Sequence, residues 1–185
     1  MKKKLGIALG VLAMLIGAFL VLVAMQPAEF AIERSAQIAA PPAKVFALVN
    51  DFHQWEGWSP WAKLDPEMKT TFSGPDSGVD AAYAWVGNSE VGEGKMTITE
   101  STPTERVVIR LEFLKPFEAT NSATFSFAPE GDGTKVTWRM DGTNNFVGKA
   151  FGLLMDMDGM VGGSFEQGLA AMKGIAESTG KGDTP

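Results

Sequence analysis

Few ionisable side chains in this chain could carry acid–base or nucleophilic chemistry. The sequence has no cysteine and one histidine, His53, which lies two residues after Asp51. A serine triad would have to use His53, but Ser59 is too near in sequence for triad geometry to be assumed. His53 is therefore kept as a candidate for proton transfer. The competing interpretation is a residue at the surface or rim of a turn.

Asp158 is the second candidate, because a helical count places it on the apolar face that includes Phe151 and Phe165. An unpaired carboxylate buried there costs several kcal/mol or has its pKa raised until it is neutral, which suits an acid, a base or a ligand anchor. The alternative is that the helix kinks or begins near Asp158, which would then cap it, since Gly162 and Gly163 are poor helix formers.

The same inventory excludes several other kinds of site. One histidine and scattered carboxylates supply no metal-ligand set at recognisable spacing, so neither a metal nor a cofactor is expected. The glycine-rich stretch 87–94 lacks both a phosphate-binding lysine pattern and a Gly-x-Gly-x-x-Gly before a helix, and it predicts a hairpin connection. The net charge of −6 disfavours nucleic acid as a partner, because an acidic surface repels phosphates.

The aromatic residues give a stronger indication. Trp55, Trp58 and Trp61 fall within seven residues, and a helical turn with this spacing would put their indoles on one side. Each indole brings a large apolar area and one N–H that needs a partner when buried, which suits the wall of a cavity. The competing interpretation is that these rings fill one end of a hydrophobic core.

The elements that must position these residues begin with an apolar segment. No charge interrupts Leu5 to Met25, and Lys2, Lys3 and Lys4 precede it. A spanning helix needs about 20 apolar residues, whereas the apolar region of a cleaved signal has roughly 7–15. We expect an uncleaved, single-pass anchor over residues 1–27 in the cell inner membrane, with the following domain on the extracytoplasmic side.

Residues 28–177 predict one soluble domain, and 178–185 a disordered tail. A strand near Glu29 to Ala39 and two short helical segments come first. Apolar residues then recur with period two in five runs between Tyr83 and Met140, which indicates an antiparallel meander with one apolar face. From Asn145 to Glu177 the period returns to 3.6, which predicts one long closing helix against that face.

This order of elements and a set of spaced motifs resemble the polyketide cyclase/dehydrase branch of the START/Bet v 1-like (SRPBCC) superfamily, in its membrane-anchored bacterial subgroup. The resemblance covers roughly residues 30–177 and implies an α+β helix-grip fold, in which a curved antiparallel sheet surrounds a long C-terminal helix and leaves a cavity for apolar or amphipathic molecules. It implies no particular reaction, because the superfamily includes lipid carriers, hormone binders and some enzymes. The motifs are Trp55-x-x-Trp58-Ser59-Pro60-Trp61, Tyr83-x-Trp85-x-Gly87, Gly92-x-Gly94, Gly133-Thr134-x-Val136-x-Trp138 and Asp158-x-x-Val161-Gly162-x-x-Phe165-Glu166-x-Gly168-Leu169.

We therefore expect binding, or transport, of a hydrophobic or lipid-like small molecule rather than catalysis. One alternative is an enzyme of cyclase, dehydratase or hydrolase type that uses Asp158 or His53 for proton transfer. Another is a module that docks its exposed aromatic segment onto a membrane complex. The expected ligand-binding residues are Trp55, Trp58, Tyr83, Trp85, Met96, Ile109, Leu111, Phe125, Trp138, Phe151, Leu154 and Asp158.

Overall fold

The computed structural model describes residues 2–178, so the predicted tail lies, apart from Ser178, outside the described residues. The helices and strands follow the predicted order up to the C-terminal region. The elements are α1 (Lys2–Met25), β1 (Glu29–Ile38), α2 (Pro42–Asn50), a 3-10 turn (Phe52–Gln54), α3 (Trp55–Trp58), a second 3-10 turn (Pro60–Lys63), β2 (Lys69–Ser73), β3 (Ala82–Val86), β4 (Glu93–Thr102), β5 (Arg106–Lys115), β6 (Ala119–Glu130), β7 (Gly133–Thr143), α4 (Phe146–Leu154) and α5 (Met157–Ser178).

The seven strands form a single sheet in the order β1-β7-β6-β5-β4-β3-β2. Each strand from β2 to β7 pairs antiparallel with the next in sequence. The pairings from β3 to β7 confirm the predicted meander, whereas β2 was not predicted from the sequence. A register shift between Ile98 and Glu100 interrupts the pairing of β4 with β5, and such irregularities increase the local twist of a sheet. The architecture is the predicted curved antiparallel sheet with a long C-terminal helix.

The chain divides into two compact units, within each of which the Cα atoms lie close to one another. The first joins residues up to Phe30 with Thr143–Met157, and the second joins Ala31–Gly142 with the chain from Asp158 onward. The boundary predicted from the sequence after residue 27 stays a prediction, as does the assignment of 28–177 as one ligand-binding domain.

The first unit contains α1 and α4, which pack against each other. The most apolar 18-residue stretch within Lys4–Met25 has a mean hydropathy of 2.9, so this helix is long and apolar enough to cross a membrane, or to act as a signal sequence. The backbone N–H of Asn144, just before α4, donates to the carbonyl of Ala28 at 2.7 Å.

In the second unit, α2 and α5 each bury an apolar stripe. Pro41 and Pro42 set the start of α2, whose Val45 and Val49 are buried one turn apart. On α5 the buried positions recur at helical spacing, and each large apolar side chain removed from water contributes roughly 1.5–3 kcal/mol. These positions are Gly162, Phe165, Gly168, Leu169, Met172 and Ala176.

The single helix predicted from 145 to 177 is wrong, because the structure has two helices there. Met155 adopts an extended conformation (φ −131°, ψ 139°), and its N–H closes α4 by donating to the carbonyl of Phe151. The next helix begins at Met157. Apolar residues occur on both sides of the break, so the helical periodicity of the sequence continued across it and hid the boundary.

Candidate ligand-binding site

The apolar face of the sheet has a closed end, where aromatic rings fill the space. The rings of Trp138 and Phe165 stack at 4.1 Å between centroids, those of Trp55 and Trp58 lie at 4.5 Å, and those of Phe125 and Trp138 at 4.7 Å. All five side chains are buried. This packing supports the interpretation that the tryptophan segment fills one end of the core. A ligand-binding role for Trp55, Trp58, Phe125 and Trp138 stays a prediction.

Two of the indole N–H groups expected to orient a ligand have partners within the fold. Trp55 Nε1 donates to the carbonyl of Val49 at 3.0 Å, and Trp58 Nε1 donates to that of Leu48 at 2.9 Å. Both carbonyls belong to the last turn of α2, whose acceptors have no intrahelical donor. The tryptophan segment therefore caps this helix. Trp138 Nε1 is buried and has no hydrogen-bond partner among the described residues.

At the other end of the sheet, one row of side chains runs across four strands and is only half-buried. Tyr83 pairs with Met96, Met96 with Leu111, and Leu111 with Asn121. We call these four residues the open row. The next residues inward on β4 and β5, Ile98 and Ile109, are fully buried, so on these two strands the side chains change from fully buried to half-buried within one step along the strand. The expected residue Ile109 therefore lies in the core.

Asn121 was missed by the sequence analysis. Its position in the sequence could have identified it, because it falls two residues before Ala123 and so lies on the apolar face of β6. Its side-chain amide donates to the sulfur of Met140 at 3.8 Å, and a thioether is a weak acceptor. The open row thus has a polar amide at one end.

Tyr83 supplies a hydroxyl at the opposite end of the open row. The centroid of its ring lies 5.4 Å from the ring centroid of Phe72 and 6.2 Å from that of Trp85. Burial, followed by the negative charge of Glu56, raises the pKa of Tyr83, so the hydroxyl keeps its proton at neutral pH and can donate a hydrogen bond. Trp85 is buried beside it, and its own N–H donates to the carbonyl of Val91 at 3.0 Å.

The expectation that Asp158 faces inward is wrong. Its side chain is 63% exposed and pairs with Arg34, with Nη2 2.8 Å from Oδ2 and Nη1 3.2 Å from Oδ1. Hydrogen bonds from Arg34 lower the pKa of Asp158. Because α5 begins at Met157, Asp158 lies in its first turn, ahead of the buried positions of this helix, which start at Gly162. A carboxylate whose pKa is lowered stays ionised at neutral pH, so it is unsuited to act as a general acid there. A ligand-binding role for Asp158 stays a prediction.

His53 lies on the surface of the tryptophan segment. Its Nδ1 is 2.8 Å from Asp51 Oδ1, and its ring stacks on Phe72 at 4.1 Å. Partial burial opposes ionisation of Asp51, but hydrogen bonds from His53 and Gln54 outweigh it and lower the pKa of Asp51. Together with five other residues, His53 lines an open groove of about 480 Å³. The other lining residues are Leu48, Gln54, Glu56, Gly57 and Ile175.

Two further predicted site residues, Phe151 and Leu154, lie on α4 in the first unit. Both side chains are exposed, by 43% and 72%, and their assignment to the ligand site stays a prediction. Among residues 2–178, no group of three histidine, cysteine, aspartate or glutamate side chains is arranged to hold a metal ion.

A curved antiparallel sheet with a long final helix packed on its apolar face defines the Bet v 1-like, helix-grip class of proteins. Residues 29–177 match the family model described as polyketide cyclase / dehydrase and lipid transport. The chain belongs to this family. No curated protein matches its sequence.

Solved structures share the fold at low sequence identity. Protein CV1439 from Chromobacterium violaceum is 16% identical, with a TM-score of 0.56 over 80% of this chain and 96% of that one. Ara h 8.0201 is 15% identical, with a TM-score of 0.58 over 81% and 99%. The di-domain ARO/CYC protein StfQ of the steffimycin biosynthetic pathway is 12% identical, with a TM-score of 0.61 over 83% of this chain and 52% of that one.

Proposed function

We propose that this protein binds a hydrophobic or lipid-like molecule against the open row of its sheet. Family membership supports this class of ligand, because the family groups polyketide-processing proteins with lipid transport proteins. The observation that carries the proposal is the half-buried apolar row of Tyr83, Met96 and Leu111, which ends in the weakly bonded amide of Asn121. A few polar groups at the edge of an apolar surface are typical of small-molecule sites.

Burial of the ligand's apolar part would drive binding, at roughly 25 cal/mol per Å² removed from water. The hydroxyl of Tyr83 and the amide of Asn121 lie at opposite ends of the open row, so a polar headgroup has a hydrogen-bonding partner at either end. Catalysis through Asp158 has lost its support, because that carboxylate is exposed and paired with Arg34. Proton transfer by His53 stays a prediction, and binding is the function that we propose for the open row.

We also propose that α1 stays attached as an anchor in the inner membrane, with the domain on the extracytoplasmic side. The three lysines that precede the apolar segment favour a cytoplasmic N-terminus. Such an anchor would hold the open row close to a source of lipids. Protease added outside spheroplasts would digest the domain in this orientation and leave it intact in the opposite one.

A matched pair of variants tests the site. Leu111 and Leu114 lie on the same strand, but Leu111 belongs to the open row, whereas Leu114 lies beyond it, at the register shift between β4 and β5, and is 55% exposed. The full chain in detergent micelles would be labelled with a diazirine derivative of palmitate, with unlabelled palmitate as competitor. We expect Leu111→Asp to weaken the competable labelling at least about tenfold, which corresponds to about 1.4 kcal/mol.

Leu114→Asp adds the same charge and should label like the unchanged protein. Near-UV circular dichroism would verify that both variants fold, and Leu111→Asn would remove the apolar contact without a charge if the aspartate variant does not. Equal labelling of the Leu111 and Leu114 variants would contradict the proposed site.

A further inference from the structure

The helix α4 is apolar on all sides, yet the structure buries none of its residues. Its sequence, Phe-Val-Gly-Lys-Ala-Phe-Gly-Leu-Leu, contains one charged residue, Lys149. A helix without a polar face is normally enclosed by protein or lipid. The large apolar side chains exposed on α4 and on the Met155–Met157 segment are Phe146 (48%), Val147 (50%), Phe151 (43%), Leu153 (40%), Leu154 (72%), Met155 (41%) and Met157 (42%).

Exposed apolar side chains occur singly on many soluble proteins, but a contiguous set on one short segment marks an interaction surface. Here the surface adjoins a helix that has the composition of a membrane span. Both α1 and α4 belong to the first unit and pack together. Among the described side chains of α1, Val23 is buried and the others are exposed.

The length of α1 determines how deep α4 would lie in a bilayer. At 1.5 Å per residue, the 22 residues Lys4–Met25 span about 33 Å, close to the roughly 30 Å hydrocarbon core of a bilayer. The packing of α4 on α1, together with the hydrogen bond from the N–H of Asn144 to the carbonyl of Ala28, places the start of α4 near the C-terminal end of α1. When α1 crosses a bilayer, that end lies at the boundary between hydrocarbon and headgroups.

We propose that α4 and the Met155–Met157 segment insert into the bilayer interface, as a second membrane attachment beside α1. The occupant of the apolar surface is the acyl-chain region of the leaflet at the C-terminal end of α1. Interfacial helices bury their apolar side chains about 5–10 Å into this boundary. Lys149 is half-buried on α4, and its long side chain can extend its ammonium group toward lipid phosphates.

The inference is independent of ligand binding at the open row, and it rests on the proposal that α1 remains in the membrane. The absence of cysteine from the sequence lets a single introduced cysteine report on one position. The full chain carrying Leu154→Cys would be labelled with an environment-sensitive nitrobenzoxadiazole dye. It would then be reconstituted into phosphatidylcholine/phosphatidylglycerol vesicles at less than one chain per vesicle, and quenching would be measured with lipids that carry a nitroxide high or low on the acyl chain.

We expect blue-shifted emission from position 154 and a loss of fluorescence that is larger with the shallow nitroxide than with the deep one. Leu15→Cys, in the middle of α1, should show the reverse order, and Asp132→Cys, in the β6–β7 turn, should remain water-like and unquenched. Water-like emission at position 154 would overturn the proposal. So would blue-shifted emission without nitroxide quenching, which would indicate a protein surface, or the absence of deep quenching at position 15.

Discussion

Arg34 of β1 holds Asp158 of the first turn of α5 through two nitrogen–oxygen contacts of 2.8 and 3.2 Å, and its Nε donates to Glu166, about two helical turns further on, at 2.8 Å. The guanidinium group lies over Gly162, where a Cβ atom would overlap it. This glycine therefore lets the ion pair approach the helix. The arrangement fixes the start of α5 on the edge strand β1.

The stabilising effect of this ion pair should depend on pH. Arg34 lowers the pKa of Asp158 in the folded protein. The ion pair therefore stabilises the fold fully at any pH above the pKa of an aspartate in the unfolded chain, about 3.9. This stabilisation is lost as the pH falls through the lower pKa of the folded state. Asp158→Asn should lower the thermal midpoint slightly at pH 7, and the difference should disappear in strong acid. Asp132→Asn, in an exposed turn, is the control. A difference that persists unchanged in strong acid would contradict this account.

Gly168 should be a position where added volume destabilises the protein. A Cβ atom there would lie 2.9 Å from Cζ3 of Trp138 and 3.2 Å from Cδ of Pro60. Gly168→Ala should cost about 1–3 kcal/mol through overpacking. The matched substitution Gly163→Ala meets nothing within 4 Å on the same helix and should stabilise by roughly 0.5–1 kcal/mol. Denaturant unfolding followed by near-UV circular dichroism measures the free energy of unfolding of both variants. Equal changes in the Gly168→Ala and Gly163→Ala proteins would contradict close packing at Gly168.

Truncation of Trp58 should destabilise the core rather than empty a binding site. This side chain is fully buried, and its N–H bonds the carbonyl of Leu48. Trp58→Ala should therefore cost about 3–5 kcal/mol in the free energy of unfolding. Trp61→Ala, at a half-buried position in the same segment, should cost less. A Trp58→Ala protein of unchanged stability would show that the indole lines an adaptable cavity.

Asn121 should affect the orientation of a ligand more than its retention. Replacing it with leucine keeps the volume of the open row but removes the amide that donates to the thioether of Met140. Asn121→Leu should weaken labelling by a diazirine fatty acid and spare labelling by a diazirine alkane of the same length, since only the acid has a headgroup to bond. Equal loss with both probes would assign Asn121 a packing role.

Local patterns in the sequence predicted the fold well. Alternating apolar residues from Tyr83 to Met140 are sufficient to place the meander strands, because side chains in a strand point alternately to its two faces. The break at Met155 was hidden because both helices beside it are apolar. The partners of Trp55 and Trp58, two carbonyls of α2, could not be inferred because backbone acceptors carry no sequence signal.

The site was harder to predict for the same reason. Asp158 was placed inward by a helical count that assumed an unbroken helix, and its partner Arg34 lies 124 positions away in sequence. Which residues on the apolar face are sealed and which remain half-buried depends on where α5 and the tryptophan segment cover the sheet. No periodicity distinguishes Ile109 from Leu111, although the first is in the core and the second is in the open row.

The most direct test of the central claim is to map where a lipid-like probe attaches. The full chain in detergent micelles would be photolabelled with a diazirine palmitate, digested and analysed by mass spectrometry. We predict competable adducts on the peptides of β3, β4 and β5 that contain Tyr83, Met96 and Leu111. Adducts confined to α1 and α4 at saturating probe, with none on these strands, would contradict binding at the open row.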